Sequence, residues 1–286
     1  MKLGKYYIDL FELIGEDFSR YQFDPNGVPL TRFPEKNWKY NPVTVCQYGL
    51  WQFNVGLRDD SERAFSNAAK QADWLVKNCR MDEAGGCIWQ YQIDLPFYGM
   101  KAPWISGMAQ AQAISLLLRM HQVTGEKRYL QTAEKAYSAF LRDTESGGVV
   151  TKFPDGSPVI EEYPTPKISA VLNGSIFSIF GVYDFATYFK DEDADQFFRN
   201  LIAGIEKNIH LYDSSFWSYY DLATPRRLAS KIYHRLHIAQ LKELAKMSRN
   251  NLFWERAEVW AGYEKSFLCK LRWFGKKLQQ KIFFRI

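Results

Sequence analysis

DEAGGCIW, residues 82–89, combines acidic residues, a glycine pair and an apolar end, and TESGGVV at residues 144–150 repeats this pattern. A weaker copy, YDSSFWS, lies at residues 212–218. In each segment, glycines or small polar residues allow the chain to reverse after a helix, and residues suited to a short hairpin follow. Such repeats predict helical hairpins arranged around a ring. The fold class that we expect is mainly α: an incomplete (α/α) toroid with short β-hairpins at one rim.

The segments between these turns have the apolar periodicity of amphipathic helices. Within residues 61–77, Phe65, Ala68 and Ala72 recur at three- and four-residue steps. Pro103 is expected at the first position of the next helix. The same reasoning predicts further helices at residues 105–122, 127–142, 168–189, 193–209, 231–247 and 253–273.

The beginning of the chain is expected to be irregular. We predict an N-terminal arm at residues 1–45 and one toroidal catalytic domain at residues 46–286, which ends in a basic tail. No linker rich in proline, glycine and serine divides the sequence after residue 45. The prediction for the arm rests on residues that break regular structure, namely Pro25, Gly27, Pro29, Pro34 and Pro42.

The composition is that of a globular protein, with 47% hydrophobic and 24% charged residues. The aromatic share of 16% suits either a large helical core or a groove that stacks on sugar rings. A formal net charge of +5 favours an anionic partner. The sequence contains no aromatic–basic motif of an RNA-binding fold, so we expect no nucleic-acid partner.

The cysteines Cys46, Cys79, Cys87 and Cys269 have the spacing of neither a disulfide scaffold nor a zinc site. We expect reduced core thiols, with a Cys79–Cys87 bridge as the alternative, and we expect no metal or cofactor. The N-terminus lacks the apolar stretch of a signal peptide, and the sequence has no run of about 18 apolar residues. A cytoplasmic location is therefore expected.

Basic residues gather near the C-terminus, and aromatic residues lie among them. Such an amphipathic segment is a candidate for peripheral contact with an anionic membrane, or for packing against a partner protein. A homodimer is compatible with the sequence, which contains no feature that decides the assembly. The residues concerned are Lys270, Arg272, Trp273, Phe274, Lys276, Lys277, Lys281, Phe283, Phe284 and Arg285.

The densest polar cluster is IEEYPTP at residues 160–166. Its two prolines predict a rigid extended segment. Because adjacent side chains of an extended chain point to opposite faces, Glu161 and Glu162 should not share a pocket. For the same reason Glu162 and Tyr163 should diverge unless the chain bends at Pro164. A solvated acidic turn is the alternative interpretation.

A second cluster, WSYYDL, lies at residues 217–222. Alternation is expected to direct Tyr219 and Tyr220 to opposite sides, so that one packs in the core and the other reaches the rim. Asp221 is expected to cap or orient a neighbour.

The third cluster is YHRLHIAQL at residues 233–241, where His234 and His237 lie one helical turn apart. No carboxylate or cysteine nearby completes a metal-ligand set. The two histidines are therefore expected to form hydrogen bonds, either in the core or as residues that orient Tyr233.

A fourth stretch, residues 104–119, places small residues and glutamines in an apolar helix. This composition predicts close helix packing, with buried amides that form hydrogen bonds. We also expect Trp104 or Gln110 to line the groove.

In this order the segments resemble the C-terminal catalytic region of D-glucuronyl C5-epimerases. The resemblance is strongest at EEYP (residues 161–164), VLNG (171–174), YDL (220–222) and YH (233–234). It implies an α/α toroid that epimerises glucuronate to iduronate within a heparan-type polymer. The catalytic residues that it implies are Glu162, Tyr163, Tyr220 and Tyr233.

The substrate-binding set is less complete than the catalytic set. Animal members of the family have an arginine directly after the Tyr-Asp-Leu motif, whereas Ala-Thr-Pro precedes Arg226 here. The sequence therefore does not identify the acidic polysaccharide. The candidate substrate-binding residues are Trp104, Gln110, Asn173, Arg226, Arg227, His234 and His237.

Epimerisation at C5 removes a proton next to a carboxylate on one face of the ring and returns a proton on the other. Two acid/base groups must therefore flank the ring, and we assign these roles to Glu162 and Tyr233. The other two tyrosines of the set are candidate donors to the uronate carboxylate. A positive neighbour such as His234 or Arg226 would ease ionisation of the tyrosine.

Other functions fit the same residues. A polysaccharide lyase begins with the same C5 proton abstraction and then expels the C4 oxygen. A non-catalytic glycan-binding protein is an alternative from a different class. A glycoside hydrolase ranks third, because it requires two facing carboxylates and only Glu162 is well placed.

Overall fold

The computed structural model describes residues 2–15, 18–33 and 37–284, with side chains described up to residue 282. The helices are α1 (Leu10–Ile14), α2 (Pro42–Asp59), α3 (Glu62–Asn78), α4 (Gly107–Thr124), α5 (Lys127–Ala136), α6 (Leu172–Phe189), α7 (Glu192–Asn208), α8 (Lys231–Ser248), α9 (Asn251–Lys265) and α10 (Phe267–Phe284). The strands are β1 (Gln22–Phe23), β2 (Pro29–Arg32), β3 (Trp38–Tyr40), β4 (Arg80–Met81), β5 (Cys87–Ile88), β6 (Gln90–Tyr91), β7 (Trp104–Ile105), β8 (Val150–Lys152) and β9 (Pro158–Ile160).

Helices α2 to α9 form successive antiparallel hairpins, in which α2 packs on α3, α4 on α5, α6 on α7 and α8 on α9. The first helix of each hairpin also packs on the first helix of the next, which creates an inner layer of α2, α4, α6 and α8. Helix α1 contacts α8. The arrangement is an incomplete α/α toroid, so the expected fold class is confirmed.

The sequence accounts for both layers. The inner helices α4 and α6 are buried around most of their circumference, whereas the outer helices α3 and α7 bury one apolar stripe. Most helices begin where a side-chain oxygen accepts a hydrogen bond from an N–H group of the first turn. These capping residues are Asp9, Asn41, Ser61, Ser106, Asp191, Ser230 and Asn250.

The connections from each outer helix to the next inner helix all lie at one rim, because the hairpins are antiparallel. This rim carries the antiparallel pairs β4–β5, β6–β7 and β8–β9, as the sequence predicts. Gly85, Gly147 and Ser215 have φ values of 78°, 76° and 67°, so the three similar turns reverse the chain through the same backbone region. At Ser215 the backbone N–H donates to Asp213 Oδ1 over 2.7 Å, which supports this conformation in a residue with a side chain.

Several helix boundaries differ from the prediction. Helix α5 already ends at Ala136 rather than at residue 142, and α6 begins at Leu172 rather than at residue 168. Residues Trp104–Ile105 pair with β6, and Ser106 caps α4, so Pro103 is not the first residue of a helix. The helix predicted over residues 253–273 is broken at Ser266, whose backbone is extended with ψ of 124°. This break allows α10 to leave α9 and return toward the rim.

The N-terminal segment is more ordered than we expected. Strands β1, β2 and β3 form an antiparallel sheet, and α2 already begins at Pro42. Leu3, Tyr6 and Ile8 are buried in the main hydrophobic core. Pro34, one of the expected breakers, lies outside the described residues.

The cysteines also differ from the prediction. The pairing of β4 with β5 brings the Cα atoms of Cys79 and Cys87 to 5.5 Å, and the two residues form a disulfide. The expectation of reduced thiols is therefore wrong for this pair. Cys46 and Cys269 remain thiols.

A buried ion pair connects the two central helices. Arg119 of α4 and Asp184 of α6 are fully buried, with 2.5 Å between Nη1 and Oδ2. The hydroxyl of Tyr7 donates to Asp184 Oδ1 over 2.6 Å, and Arg119 Nε donates to the Gly4 carbonyl over 3.0 Å. The same two side chains therefore anchor the N-terminal segment to the inner layer.

We predict that Arg119→Met lowers the free energy of unfolding by about 3–5 kcal/mol, because it leaves the Asp184 carboxylate buried without its counter-ion. Equilibrium denaturation in urea measures this change. The matched control is Arg199→Met, which breaks an exposed pair with Asp195 on α7 and should cost less than about 1 kcal/mol. Equal losses in the two variants would contradict the structural role of the buried pair.

Candidate active site

A cleft at the rim consists of two adjoining cavities, of about 460 and about 510 Å³. Tyr163, Ser230 and Tyr233 line both cavities and form the boundary between them. The smaller cavity extends from this boundary toward α1 and the N-terminal sheet, and the larger one extends toward α10. Residues from distant parts of the sequence therefore meet in one groove.

Glu161 faces away from this cleft. Its carboxylate accepts hydrogen bonds from the backbone N–H groups of Ser169 and Ala170, both over 2.8 Å, and from the Ser169 hydroxyl over 2.5 Å. The side chain is fully buried. Glu161 therefore fixes the loop that leads into α6, and the expectation that Glu161 and Glu162 face different ways is confirmed.

Glu162 points into the smaller cavity and is 8% exposed. A methyl group at Gly174, in the first turn of α6, would collide with its carboxylate. The position of the Glu162 side chain therefore requires a glycine at residue 174. Its Oε2 atom has no hydrogen-bond partner among the described residues. Burial raises the pKa of Glu162 to about 7, and the nearby Tyr163 partly offsets this effect. Such a carboxyl can exchange a proton near neutral pH.

Tyr163 lines the same cavity as Glu162, although we expected the two side chains to diverge unless the chain bends at Pro164. The backbone bends at Glu162 and Tyr163 themselves, which turns both side chains into the cleft. The ring centroid of Tyr163 lies 4.5 Å from that of Tyr98 and 5.7 Å from that of Trp104. These rings form an aromatic wall.

Tyr220 and Tyr233 form a second aromatic pair, with ring centroids 4.8 Å apart in an edge-to-face arrangement. Tyr233, in the first turn of α8, is 37% exposed. Burial, together with the negative charge of Glu162, raises the pKa of Tyr163 and of Tyr220 well above the usual value. Both hydroxyls therefore retain their protons at neutral pH and can donate hydrogen bonds.

Arg227 connects the two aromatic groups. Its guanidinium group lies 3.7 Å from the ring centroid of Phe97 and 5.3 Å from that of Tyr220. Its Nη2 atom donates to the Asp221 carboxylate and to the Tyr98 hydroxyl. Within the described part of the chain, Arg227 Nε has no hydrogen-bond partner. The cleft thus contains a cation fixed by Asp221, with one buried N–H group that is unpaired among these residues.

Helix α10 forms the outer wall of the larger cavity, a role that the sequence did not indicate. Trp273 Nε1 donates to the Ala229 carbonyl over 2.9 Å, and Gln280 Nε2 donates to the Arg226 carbonyl over 3.0 Å. These contacts place Lys277 and the more exposed Lys281 on the cavity. Burial and the neighbouring Arg227 lower the pKa of Lys277. The concentration of basic residues around Trp273 predicts peripheral contact with a membrane or a partner, and it does not predict a wall of the cleft.

Asn173, Trp104 and Arg227, three of the predicted substrate-binding residues, lie on the cleft. Asn173 is 3% exposed, and its Oδ1 has no partner in the described ranges. The ring of Trp104 stacks on Tyr91 with centroids 4.1 Å apart. Tyr98, which no sequence pattern singled out, joins these residues from the turn after β6.

Gln110 and Arg226 lie away from the cleft, so their prediction as contact residues needs correction. The Gln110 amide is fully buried: its Nε2 donates to the Cys87 carbonyl over 2.9 Å, and its Oε1 accepts from Trp89 N over 3.0 Å. Gln110 therefore secures the first rim hairpin to α4. Arg226 is exposed and donates to the Leu211 carbonyl over 3.0 Å.

His234 and His237 are fully buried beneath the rim, and neither lines a cavity of the cleft. Both rings contact the Ser218 hydroxyl, over 2.8 and 3.0 Å respectively. Burial lowers the pKa of His234 to about 4 and that of His237 well below the usual value. Both are therefore neutral near pH 7, and Arg227, rather than His234 or Arg226, is the cation beside the tyrosines.

Solved structures with the same fold include sugar-active enzymes. The cellobiose 2-epimerase of Bacillus thermoamylovorans B4167 superposes with a TM-score of 0.63 at 9% identity, covering 90% of this chain and 72% of that protein. The unsaturated glucuronyl hydrolase of Bacillus sp. GL1 gives a TM-score of 0.53 at 16% identity, covering 77% and 61%. At these identities the likeness shows the α/α toroid alone.

Sequence comparison identifies the family, which the fold alone does not. The chain is 31% identical to the D-glucuronyl C5-epimerase of Caenorhabditis elegans over 227 residues, which are 72% of this chain and 36% of the worm protein. The chain therefore aligns with little more than a third of that relative. The family model described as "D-glucuronyl C5-epimerase C-terminus" matches residues 82–262, which include Glu162, Tyr220 and Tyr233. On this evidence the chain belongs to the D-glucuronyl C5-epimerase family.

Proposed function

We propose that this protein inverts C5 of uronate residues within an acidic polysaccharide, converting glucuronate-type to iduronate-type residues. The observation that carries the proposal is the meeting of Glu162, Tyr163 and Tyr233 on one cavity. The cavity brings together a carboxylate with a pKa near 7 and tyrosine hydroxyls. Membership of the epimerase family supports the same chemistry.

Glu162 is the proton acceptor in this proposal. Its ionised form takes the C5 proton, and the electron pair left behind delocalises into the uronate carboxylate. Tyr233 then delivers a proton to C5 from the opposite face. The carboxyl and the tyrosinate return to their starting states by exchange with solvent, and the reverse reaction uses the two groups in the opposite order.

The developing negative charge on the uronate carboxylate requires donors that do not themselves ionise. Tyr163 and Tyr220 meet this requirement, because both retain their protons at neutral pH. Arg227 adds a positive charge beside them, and its buried Nε–H group has no partner among the described residues. These three side chains are the proposed oxyanion-binding groups.

The shape and charge of the cleft favour a polymer as substrate. Two adjoining cavities provide room on both sides of the boundary formed by Tyr163, Ser230 and Tyr233 for neighbouring sugars. Aromatic walls suit stacking on sugar rings. Lys277 and Lys281 add cations at the end away from Glu162, which suits a substrate with further anionic groups. A heparan-type polymer has these properties and is our proposed class.

A lyase is the second candidate, because a tyrosine that retains its proton is also suited to protonating a departing C4 oxygen. The two reactions differ in their products. A lyase produces an unsaturated uronate that absorbs ultraviolet light, whereas an epimerase leaves the chain intact.

We predict that the protein exchanges the C5 proton of glucuronate-containing polysaccharides for deuterium in heavy water, as measured by NMR, without ultraviolet-absorbing product. Glu162→Gln should lower the exchange rate by roughly 100- to 10,000-fold, because it removes the group that takes the C5 proton. Tyr233→Phe should lower the rate of iduronate formation by the same factor, because it removes the group that returns a proton to the opposite face.

The matched control for the second variant is Tyr219→Phe. Tyr219 is a neighbouring rim tyrosine that packs on the exposed Arg226, and it lines neither cavity of the cleft. This variant should retain normal exchange and normal iduronate formation. Exchange that persists in Glu162→Gln would contradict the proposed base, and unsaturated product would favour the lyase.

The rate should also depend on pH with an acid limb. Only ionised Glu162 accepts a proton, so kcat should fall about tenfold for each pH unit below a midpoint near 7 and level off above it. Initial rates of C5 exchange across this range measure the effect, with circular dichroism to verify folding at each pH. A midpoint near 4.5 would show that the base is not held in this buried environment.

Lys277→Ala should raise KM for the acidic polymer roughly tenfold with little change in kcat, because hydrogen bonds to charged groups contribute about 1.5–3 kcal/mol. The matched control is Lys276→Ala, which removes an exposed charge from the same helix without touching the cavity. If both variants changed KM equally, the effect would come from overall charge rather than from the cleft wall.

A further inference from the structure

The outward face of α10 carries a continuous apolar stripe. Its members recur at three- and four-residue steps, which places them along one side of the helix. Their side chains are more than half exposed, and a patch of this kind on a globular protein marks an interaction surface. The stripe consists of Phe267 (73% exposed), Leu268 (69%), Leu271 (57%), Phe274 (60%), Leu278 (51%) and Ile282 (68%).

The helix cannot bury this stripe by rotating. Its opposite face is held by the Trp273 and Gln280 hydrogen bonds to the segment before α8, and the Trp273 ring lies 5.5 Å from Trp217. Lys277 of the same face lies on the larger cavity. Because the inward face of α10 packs against the rest of the protein, the apolar stripe is directed outward.

Basic residues border the stripe on both sides. In helical projection Lys270 follows one edge together with Lys281, which also borders the larger cavity. Lys276 follows the other edge together with Arg272, whose guanidinium group lies 5.0 Å from the Phe216 ring centroid. The sequence from residue 267 to residue 284 contains no aspartate or glutamate. An apolar face between two rows of cations matches a surface with negative headgroups above an apolar interior.

A second copy of the chain is a poorer occupant. A symmetric contact through α10 would bring two uncompensated basic helices together, and like charges across an interface oppose association. A helix that crosses a bilayer is also a poorer description, because within the described ranges no helix combines the length and apolar character that a membrane span requires.

We propose that the outer face of α10 binds the surface of an anionic lipid bilayer, with the helix lying parallel to the membrane plane. The apolar stripe enters the boundary between headgroups and acyl chains, while the flanking cations contact the headgroups. The inner face of the same helix continues to form the cleft wall. This inference does not depend on the reaction proposed above.

The experiment is co-sedimentation of the full chain with vesicles in the absence of any polysaccharide. The protein should bind vesicles that mix phosphatidylglycerol with phosphatidylcholine, bind phosphatidylcholine alone at least tenfold more weakly, and dissociate as salt increases. The double variant Leu271→Glu/Phe274→Glu should lower binding at least tenfold. Lys270→Glu/Arg272→Glu should weaken binding to the anionic vesicles and leave binding to the phosphatidylcholine vesicles unchanged.

The matched control is Leu141→Glu, since Leu141 is 72% exposed on a different part of the molecule and should not affect binding. Circular dichroism verifies that each variant is folded. The proposal is overturned by failure of the parent protein to bind anionic vesicles, or by equal binding to both lipid mixtures. It is also overturned if size-exclusion chromatography shows a dimer that Leu271→Glu/Phe274→Glu separates, since the stripe would then be covered by a second copy.

Discussion

The close contact between α4 and α6 is the constraint on which the cleft depends. Gly181 allows the two helices to approach until its Cα faces the backbone of Ala111, and a side chain there would not fit. At the rim, the strand that ends at Ile160 enters between their first turns: Gly107 N donates to the Glu161 carbonyl over 3.0 Å, and Ser175 Oγ donates to the Ile160 carbonyl over 2.7 Å. Glu162 follows these two residues. It is directed into the cleft because the carbonyls of Ile160 and Glu161 are both held by hydrogen bonds, one to each helix.

Desolvation acts on every titratable group near this point and always favours the neutral form. Desolvation raises the pKa of Glu162 to about 7 and raises the pKa of Tyr220 well above its usual value. It lowers the pKa of His234 to about 4. The same physical cause therefore produces a carboxyl that titrates near neutral pH, hydroxyls that retain their protons and imidazoles that stay uncharged. The charge that persists, on Arg227, is stabilised by Asp221.

The sequence predicts the toroid because the fold is repetitive. Turns with glycine pairs recur between amphipathic stretches, and this recurrence can be recognised even where individual residues vary. Alternation in an extended segment similarly predicts that Glu161 and Glu162 face different ways. Sequence reasoning fails where a polar residue of the core and a polar residue that lines a cavity occur in the same sequence pattern. Gln110 and His237 are polar residues on apolar helices, as a ligand-binding residue would be, yet they bond core backbone and hydroxyl groups. The position of Lys277 on the cleft could not be predicted, because the break between α9 and α10, which returns this helix to the rim, has no strong sequence signal.

The interlocking of the N-terminal segment with the toroid bears on where the chain can be divided. The family match begins at residue 82 and ends at residue 262. A fragment cut at those bounds would keep Arg119 and Asp184 but lose Tyr7, the Gly4 carbonyl and the α2–α3 hairpin that covers α4. It would also lose α10, and with it one wall of the larger cavity. The segment that the family model matches is therefore smaller than the unit that these contacts hold together, and a truncated version of this protein should be bounded by burial rather than by that match.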